Sequence, residues 1–404
     1  MLYLILSTAA LLILGLLYGF SMFAAPMIED FALDGVGSAF YVMMAFFCIG
    51  SLVGSAIQNK LGVKAALIIA GLMFGAGFAL TGLLAADNGV IILYLCYAVL
   101  GGFGTGVGYN AIISTTNIWF PDRIGLSAGV MLLGFGIASL VFGNAALAIR
   151  PLVGGMGTVL PIIGGLGAVF TISLALVLTK APENISEIMK AAQAETAAKK
   201  AVVKAPAIQE VESVSTKDMV KKPIFYAYYL TNVFLAAVGL AIIGNVAADA
   251  QFLGAAAAFA SLLVGFVSTF NGVSRVVMGA VLDRIGVVKT FILAVGLALT
   301  AMVLIVVGFV ANIVALYVAG ALILGFSYGC CPVVGSSFTR KKFGSKFFPS
   351  NLAVINSTLL FSALLNLGLA SLITSSRMDL LFVVLGVCAL AFVGALVFAR
   401  LWKK

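Results

Sequence analysis

Histidine is absent from the 404-residue sequence, and charged residues are scarce: they make up 9% of the chain, against 63% hydrophobic residues. Polar residues are too few to cover the water-facing surface of a soluble protein of this length. Without histidine, the commonest metal ligand and the side chain that titrates nearest neutral pH are both missing. We therefore expect no metal centre, no histidine-based catalysis and no cofactor.

Cysteine and acidic residues are also few. The five cysteines all fall in apolar stretches, where a thiol behaves as a small hydrophobic group, so a disulfide framework is not expected. The 14 Asp and Glu residues all fall outside the apolar stretches. The sequence thus predicts a membrane interior without a buried carboxylate, which removes the usual groups of an intramembrane proton relay.

What the chain does contain is a succession of apolar runs. A helix needs about 20 residues to cross the roughly 30 Å hydrocarbon core of a bilayer. We therefore predict an all-α membrane protein with twelve transmembrane helices. The predicted spans, numbered 1 to 12 in order, are about 2–27, 38–58, 65–86, 89–114, 126–149, 155–179, 223–246, 255–282, 289–310, 312–338, 348–374 and 380–401.

A change of composition divides these spans six and six. Residues 181–222 are rich in Ala, Lys and Glu, which is typical of a solvated linker. We expect an N-terminal six-helix half at 1–180, the linker at 181–222 and a C-terminal six-helix half at 223–404.

An internal repeat supports two related halves. Asn59-Lys-Leu-Gly62 after span 2 recurs as Asp283-Arg-Ile-Gly286 after span 8, and Phe120-Pro121 recurs at nearly the same offset as Phe348-Pro349. Transporters built from such repeats bind substrate between the halves, near the membrane midplane.

Lysine and arginine lie almost entirely on one side of the predicted membrane. If loops alternate, all except Arg150, Arg275 and Arg377 fall on the side that carries both termini and the linker. The positive-inside rule makes this side cytoplasmic. We expect a multi-pass protein of the plasma (inner) membrane, acting as a monomer in the bilayer, and we attribute the net charge of +9 to topology and not to a nucleic-acid partner.

Arg275 is the one charge that falls in the interior of a predicted span, away from the ends of the span. An arginine at the centre of a membrane helix costs roughly 2.5–3.5 kcal/mol on insertion scales, so its retention indicates a ligand, a pathway or an internal partner. The alternative is that its long side chain extends towards Asp283, roughly 12 Å along the helix, or towards helix-end carbonyls.

The stretch Gly279-Ala-Val-Leu-Asp283-Arg284-Ile-Gly286-Val-Val-Lys289 resembles the loop motif of the major facilitator superfamily, and the arrangement of six spans, loop and six spans fits it over the whole chain. The resemblance implies the major facilitator fold, with Asp283 and Arg284 in a gating role. The copy after span 2 has Ser55 and Asn59 at two motif positions, which departs from the pattern.

Within that superfamily, Asn117-Ile-Trp-Phe-Pro-Asp-Arg-Ile-Gly-Leu-Ser-Ala-Gly129, Phe270-Asn-Gly-Val-Ser-Arg275, and Tyr18 ahead of Pro26 resemble the oxalate:formate antiporter family and its monocarboxylate-transporter relatives. The resemblance implies that Arg275 binds a substrate carboxylate, with Tyr109 and Tyr18 beside it.

The chain departs from that family at the groups that would hold a second carboxylate. The family's lysine on helix 11 has no counterpart in 351–362, and the tryptophans that enclose oxalate are absent from spans 10 and 11. Since a dianion facing one Arg leaves a carboxylate uncompensated, a monocarboxylate fits better. Hydroxyl and amide groups remain to contact the rest of the substrate or to orient Arg275, with helix packing as the alternative role; these are Tyr109, Asn110, Asn271, Tyr328 and Asn356.

We therefore expect a secondary transporter of small carboxylates of the lactate and pyruvate kind, coupled to protons. Three couplings remain open: the substrate carries its own proton, a boundary acid such as Glu29 carries it, or the cycle exchanges anion for anion. Oxalate/formate-type exchange is the alternative function. An enzyme or a passive channel is less well supported, because groups for hydrolysis or metal chemistry are missing.

Overall fold

A computed structural model of the protein describes residues 2–120, 124–178, 213–344, 347–372 and 376–403. Within these ranges the ordered secondary structure is helical, with no strand. The membrane helices are α1 (Leu2–Phe31), α2 (39–61), α3 (63–88), α4 (Val90–Asn117), α5 (124–153), α6 (Met156–Val177), α7 (Pro223–Ile243), α8 (257–285), α9 (287–310), α10 (Val314–Phe343), α11 (348–372) and α12 (Arg377–Trp402).

The predicted twelve helices are confirmed, although two pairs run together. Ala39–Asn88 holds α2 and α3, and Ala257–Val310 holds α8 and α9. Each stretch is interrupted by a glycine with non-helical backbone, Gly62 at φ 86°, ψ 168° and Gly286 at φ 82°, ψ 168°. The two copies of the sequence repeat thus form the same turn.

Successive helices cross the bundle in opposite directions. We call the face that carries residues 2 and 403 the termini face, and the other the opposite face. The turns at Gly62 and Gly286 lie at the termini face. Residues 181–212 of the predicted linker lie outside the described residues, but its last part packs on the bundle: Val214 donates its N–H to the Phe343 carbonyl, and Asn351 donates to the Val214 carbonyl at 3.0 Å.

Glycines in α4 set how closely the helices meet. A Cβ at Gly106 would lie 2.0 Å from the Phe47 carbonyl oxygen of α2, and one at Gly104 would lie 2.5 Å from the Phe74 nitrogen of α3. Helix α4 is therefore wedged between α2 and α3, as expected where small residues drive helix packing in lipid.

The first six and the last six helices meet at the opposite face. Asn245 donates to the Tyr41 hydroxyl at 3.2 Å, and the Ala247 N–H points to the Ser21 hydroxyl at 3.4 Å. Where the stretch Ala39–Asn88 meets α11, it contacts mainly Thr358–Leu372, the part of α11 nearer that face. Helices α2 and α11 accordingly diverge towards the termini face.

The turn at Gly286 provides a test of this backbone geometry. The substitution Gly286→Ala places a Cβ in a region of φ that L-residues rarely adopt, and we expect it to destabilise the protein by about 1–3 kcal/mol. Thermal unfolding in detergent measures the loss. Gly386→Ala is the matched control, because Gly386 is helical and no atom stands within 4 Å of an added Cβ. Equal unfolding temperatures for the two variants would contradict the assigned turn.

Candidate functional site

Arg275 lies buried on α8, with 8% of its surface exposed. Its Nη2 donates to Oδ1 of Asn271, one helical turn earlier, at 3.3 Å. The Nε and Nη1 groups have no hydrogen-bond partner, and neither has Nδ2 of Asn271. None of the ion pairs among the described residues includes Arg275. Buried donors are nearly always satisfied in proteins, so these open donors mark a place for a ligand or water.

Three tyrosines from three other helices surround the guanidinium group. Tyr109 of α4, Tyr18 of α1 and Tyr328 of α10 are close enough to interact with its charge, and Tyr18 and Tyr328 lie beside each other. Together with Asn271, these are four of the six side chains that we expected around Arg275, brought together from both sets of six helices.

Close helix crossings place these side chains. A Cβ at Gly329 of α10 would lie 2.2 Å from the Asn271 carbonyl oxygen, so α10 meets α8 beside Arg275. A Cβ at Gly239 of α7 would lie 2.6 Å from the Tyr328 ring, which fits into the space left by the missing side chain. Tyr18 lies in a 3₁₀ segment, Gly15–Gly19, that interrupts α1, the kind of irregularity that often marks a functional position.

A phenylalanine pair that we did not predict completes the wall. The Phe135 ring of α5 lies 5.2 Å from the Tyr109 ring and 5.7 Å from the Tyr18 ring, and the Phe47 ring of α2 lies 5.2 Å from the Tyr109 ring. Cys331 of α10 is near enough to interact with both Arg275 and Tyr18. A signal for Phe135 was available, since it stands between two packing glycines at 134 and 136. Phe47 offers no such signal.

The remaining predicted residues lie elsewhere. Asn110 turns from Arg275 and donates to the Ser51 carbonyl of α2 at 3.1 Å, which is the packing role left open by the sequence. Asn356 is exposed, and its backbone carbonyl accepts a long contact of 3.8 Å from the Cys48 thiol. Asp283 and Arg284 are exposed at the end of α8, so their gating role stays a prediction.

The sequence and the fold were compared with those of known proteins. No protein-family model matches the sequence. The chain is 25% identical over 344 residues to the oxalate:formate antiporter of Oxalobacter formigenes, covering 82% of this chain and 77% of that protein. It is 28% identical over 110 residues to monocarboxylate transporter 11 of Homo sapiens, covering 27% of this chain and 23% of that protein. The crystal structure of a D-xylose-proton symporter superposes with a TM-score of 0.71 at 17% identity, covering 98% of this chain and 97% of that one.

The chain has the major facilitator fold. Its curated relatives include the oxalate:formate antiporter and monocarboxylate transporters, as the sequence motifs indicated. These relatives are transporters and not enzymes. The multi-pass membrane protein expected from the apolar runs is thereby established.

One carboxylate is buried although it lies outside the predicted spans. Asp249, between predicted spans 7 and 8, is 3% exposed in the short helix Val246–Phe252 that follows α7. Arg377 at the start of α12 holds it with two hydrogen bonds, Nε to Oδ1 at 2.8 Å and Nη2 to Oδ2 at 2.7 Å, and Tyr317 donates to Oδ2 at 3.2 Å. Pairing with an arginine makes the burial tolerable.

The pair predicts a non-additive pattern of stability. The substitution Arg377→Met leaves Asp249 buried without its countercharge, and we expect a loss of about 3 kcal/mol in the free energy of unfolding. The double variant Asp249→Asn with Arg377→Met removes both charges and loses less than the single Arg377 variant. Denaturant unfolding in detergent compares the two. A double variant as unstable as the sum of both single variants would contradict a coupled buried pair.

Proposed function

We propose that the protein is a secondary transporter of small monocarboxylates of the lactate and pyruvate kind, in which Arg275 binds the substrate carboxylate. The observation that carries this proposal is a buried guanidinium group that has two unpartnered donors and no ion-pair partner among the described residues. A planar guanidinium group matches a carboxylate and can hold it with two hydrogen bonds. Tyr18, Tyr109 and Tyr328 supply neutral hydroxyls for a keto or hydroxy group on the substrate.

The charge count favours a monocarboxylate. Among the described residues Arg275 is the one buried Lys or Arg, so the site balances a single negative charge. The second carboxylate of a dianion would face Phe47, Phe135 and the tyrosine rings, and leaving it unpaired there costs several kcal/mol. The rings suit the short apolar end of lactate or pyruvate instead.

Exchange of oxalate for formate is the second candidate. It is favoured by the 25% identity to an oxalate:formate antiporter over 82% of this chain. That alternative needs a second cation at the site, and the stretch 351–362 offers none.

Alternating access between the halves 1–180 and 223–404 is the proposed mechanism. The side-chain contacts across the opposite face, and the divergence of α2 and α11, fit a state in which Arg275 is reached from the termini face. In the proposed topology both termini lie on the cytoplasmic side of the inner membrane. In this state Arg275 is therefore reached from the cytoplasm. An unoccupied Arg275 resists closure because its charge is uncompensated, and a bound carboxylate removes the resistance.

Proton symport is the proposed coupling, in which one proton enters with each carboxylate that Arg275 binds as the anion. Three acidic groups at the opposite face are engaged in ion pairs: Asp249 pairs with Arg377, while Glu29 pairs with Arg150 at 2.6 Å and Asp30 shares the same arginine. These three carboxylates are therefore committed to arginines and are not proposed as carriers of the proton.

We expect Arg275→Ala to lower saturable uptake of labelled lactate or pyruvate into proteoliposomes by on the order of 100-fold, because the buried carboxylate loses its charge-assisted hydrogen bonds. Arg340→Ala, which removes an exposed arginine at the end of α10, is the matched control and keeps wild-type uptake. Labelled formate and oxalate in parallel assays separate the two candidate functions. Wild-type rates in the Arg275 variant would assign Arg275 a structural role and overturn the site.

An inward proton gradient is expected to accelerate net lactate uptake by the wild-type protein, and uptake is expected to make a weakly buffered exterior more alkaline. Both effects follow if each carboxylate enters with a proton. Lactate exchange at equal pH on both sides serves as the control, because full exchange moves no net proton. If the proton gradient did not change the rate of uptake while exchange remained fast, the coupling would be anion exchange and not proton symport.

A further inference from the structure

A groove of about 370 Å³ lies on the membrane-facing surface between α7 and α12. Its walls are apolar and partly aromatic, with Tyr226, Leu230 and Phe234 from α7 and Leu390, Val393 and Val397 from α12. Gly394 allows the two helices to touch along the groove, since a Cβ there would lie 2.3 Å from the Thr231 hydroxyl. The membrane-facing surface of α7 and α12 is therefore concave at this place.

The groove covers one leaflet of the membrane. It begins at Pro223 at the termini face and reaches Phe234, a rise of roughly 16 Å, which is about half of the 30 Å hydrocarbon core. Tyr226 and Leu230 are each 51% exposed, whereas α7 is buried by other helices throughout 235–243. A partner helix would need a surface along the full membrane thickness, whereas the acyl chain of a lipid needs half of it.

The mouth of the groove is basic. Three exposed basic side chains lie there. Lys222 directly precedes the lining residue Pro223, and Arg400 directly precedes the lining residue Leu401. Lys403 lies two residues after Leu401. The nearby carboxylate, Asp218, is already paired with Lys221 at 3.0 Å. The N-terminal end of α7, with its positive partial charge, opens at the same place.

We infer that this groove binds an anionic glycerophospholipid, with an acyl chain between α7 and α12 and the phosphate at Lys222, Arg400 and Lys403. Basic clusters at the interface attract anionic headgroups, and each Lys or Arg near the surface strengthens binding. The apolar groove adds a place for the chain that a basic loop alone lacks. The inference does not depend on the proposed transport of carboxylates, because neither Arg275 nor the tyrosines around it belong to the groove.

Native mass spectrometry of the detergent-purified full chain tests this site. Added dioleoyl phosphatidylglycerol is expected to bind the wild-type protein more tightly than dioleoyl phosphatidylcholine. The triple variant Lys222→Gln, Arg400→Gln, Lys403→Gln weakens phosphatidylglycerol binding by roughly fivefold per charge removed. The matched control Lys60→Gln, Lys64→Gln, Lys289→Gln removes three exposed charges from the turns at the same face and retains wild-type binding.

A second pair of variants tests the groove itself. Ala227→Trp fills it from α7 and Leu390→Trp fills it from α12, and each is expected to displace phosphatidylglycerol while the three basic residues stay in place. Either variant alone is enough to test the groove, provided that it unfolds at the same temperature as the wild-type protein. Equal loss of binding in the two triple variants would reduce the effect to net charge. Equal binding of both lipids, or dimers that the tryptophan variants dissociate, would overturn the assignment to an anionic lipid.

Discussion

The guanidinium group of Arg275 is held away from water, and this constrains which groups can surround it. In the membrane interior a charge has no solvent to satisfy it, so the protein must supply dipoles or a ligand must supply countercharge. Asn271 gives Arg275 one neutral hydrogen-bond partner, Tyr109 lies beside it, and among the described residues Nε and Nη1 stay open. This partial satisfaction supports the proposed binding role over a structural one, because a fully paired arginine has nothing left to offer a substrate.

Arg377 shows the other outcome in the same molecule. It faces Asp249 with two short hydrogen bonds, and Tyr317 adds a third contact to the carboxylate. That pair fastens the helix after α7 to α12 and leaves both charges compensated. The two arginines have the same chemistry. They differ in whether the fold places a carboxylate beside them: Arg377 has one, whereas Arg275 has none among the described residues. This difference favours a structural role for Arg377 and the proposed binding role for Arg275.

The sequence identifies Arg275 and much of its surroundings because a single cation in an apolar run is a strong signal, and because tyrosines and amides are rare in such runs. Helix number follows from the length of the runs. The burial of Asp249 could not be predicted in this way: its partner Arg377 is 128 residues distant, and only the folding of Val246–Phe252 onto the helix bundle buries it. Phe47 resembles an ordinary core residue in the sequence, because nothing near it distinguishes a cavity wall from a packed interior, and Phe135 is marked only by the packing glycines on either side.

The close crossing of α5 and α8 relates the site to the proposed transport cycle. A Cβ at Gly136 would lie 2.8 Å from the Gly272 Cα, so the two backbones touch at a point one turn from Arg275. Bulky side chains there would interlock the helices, whereas a contact between glycines lets them rotate against each other. Rotation about a point beside the site moves the ends of the bundle by large distances and Arg275 by little. In the proposed cycle, the same contact that positions the cation would also allow each face to open to it in turn.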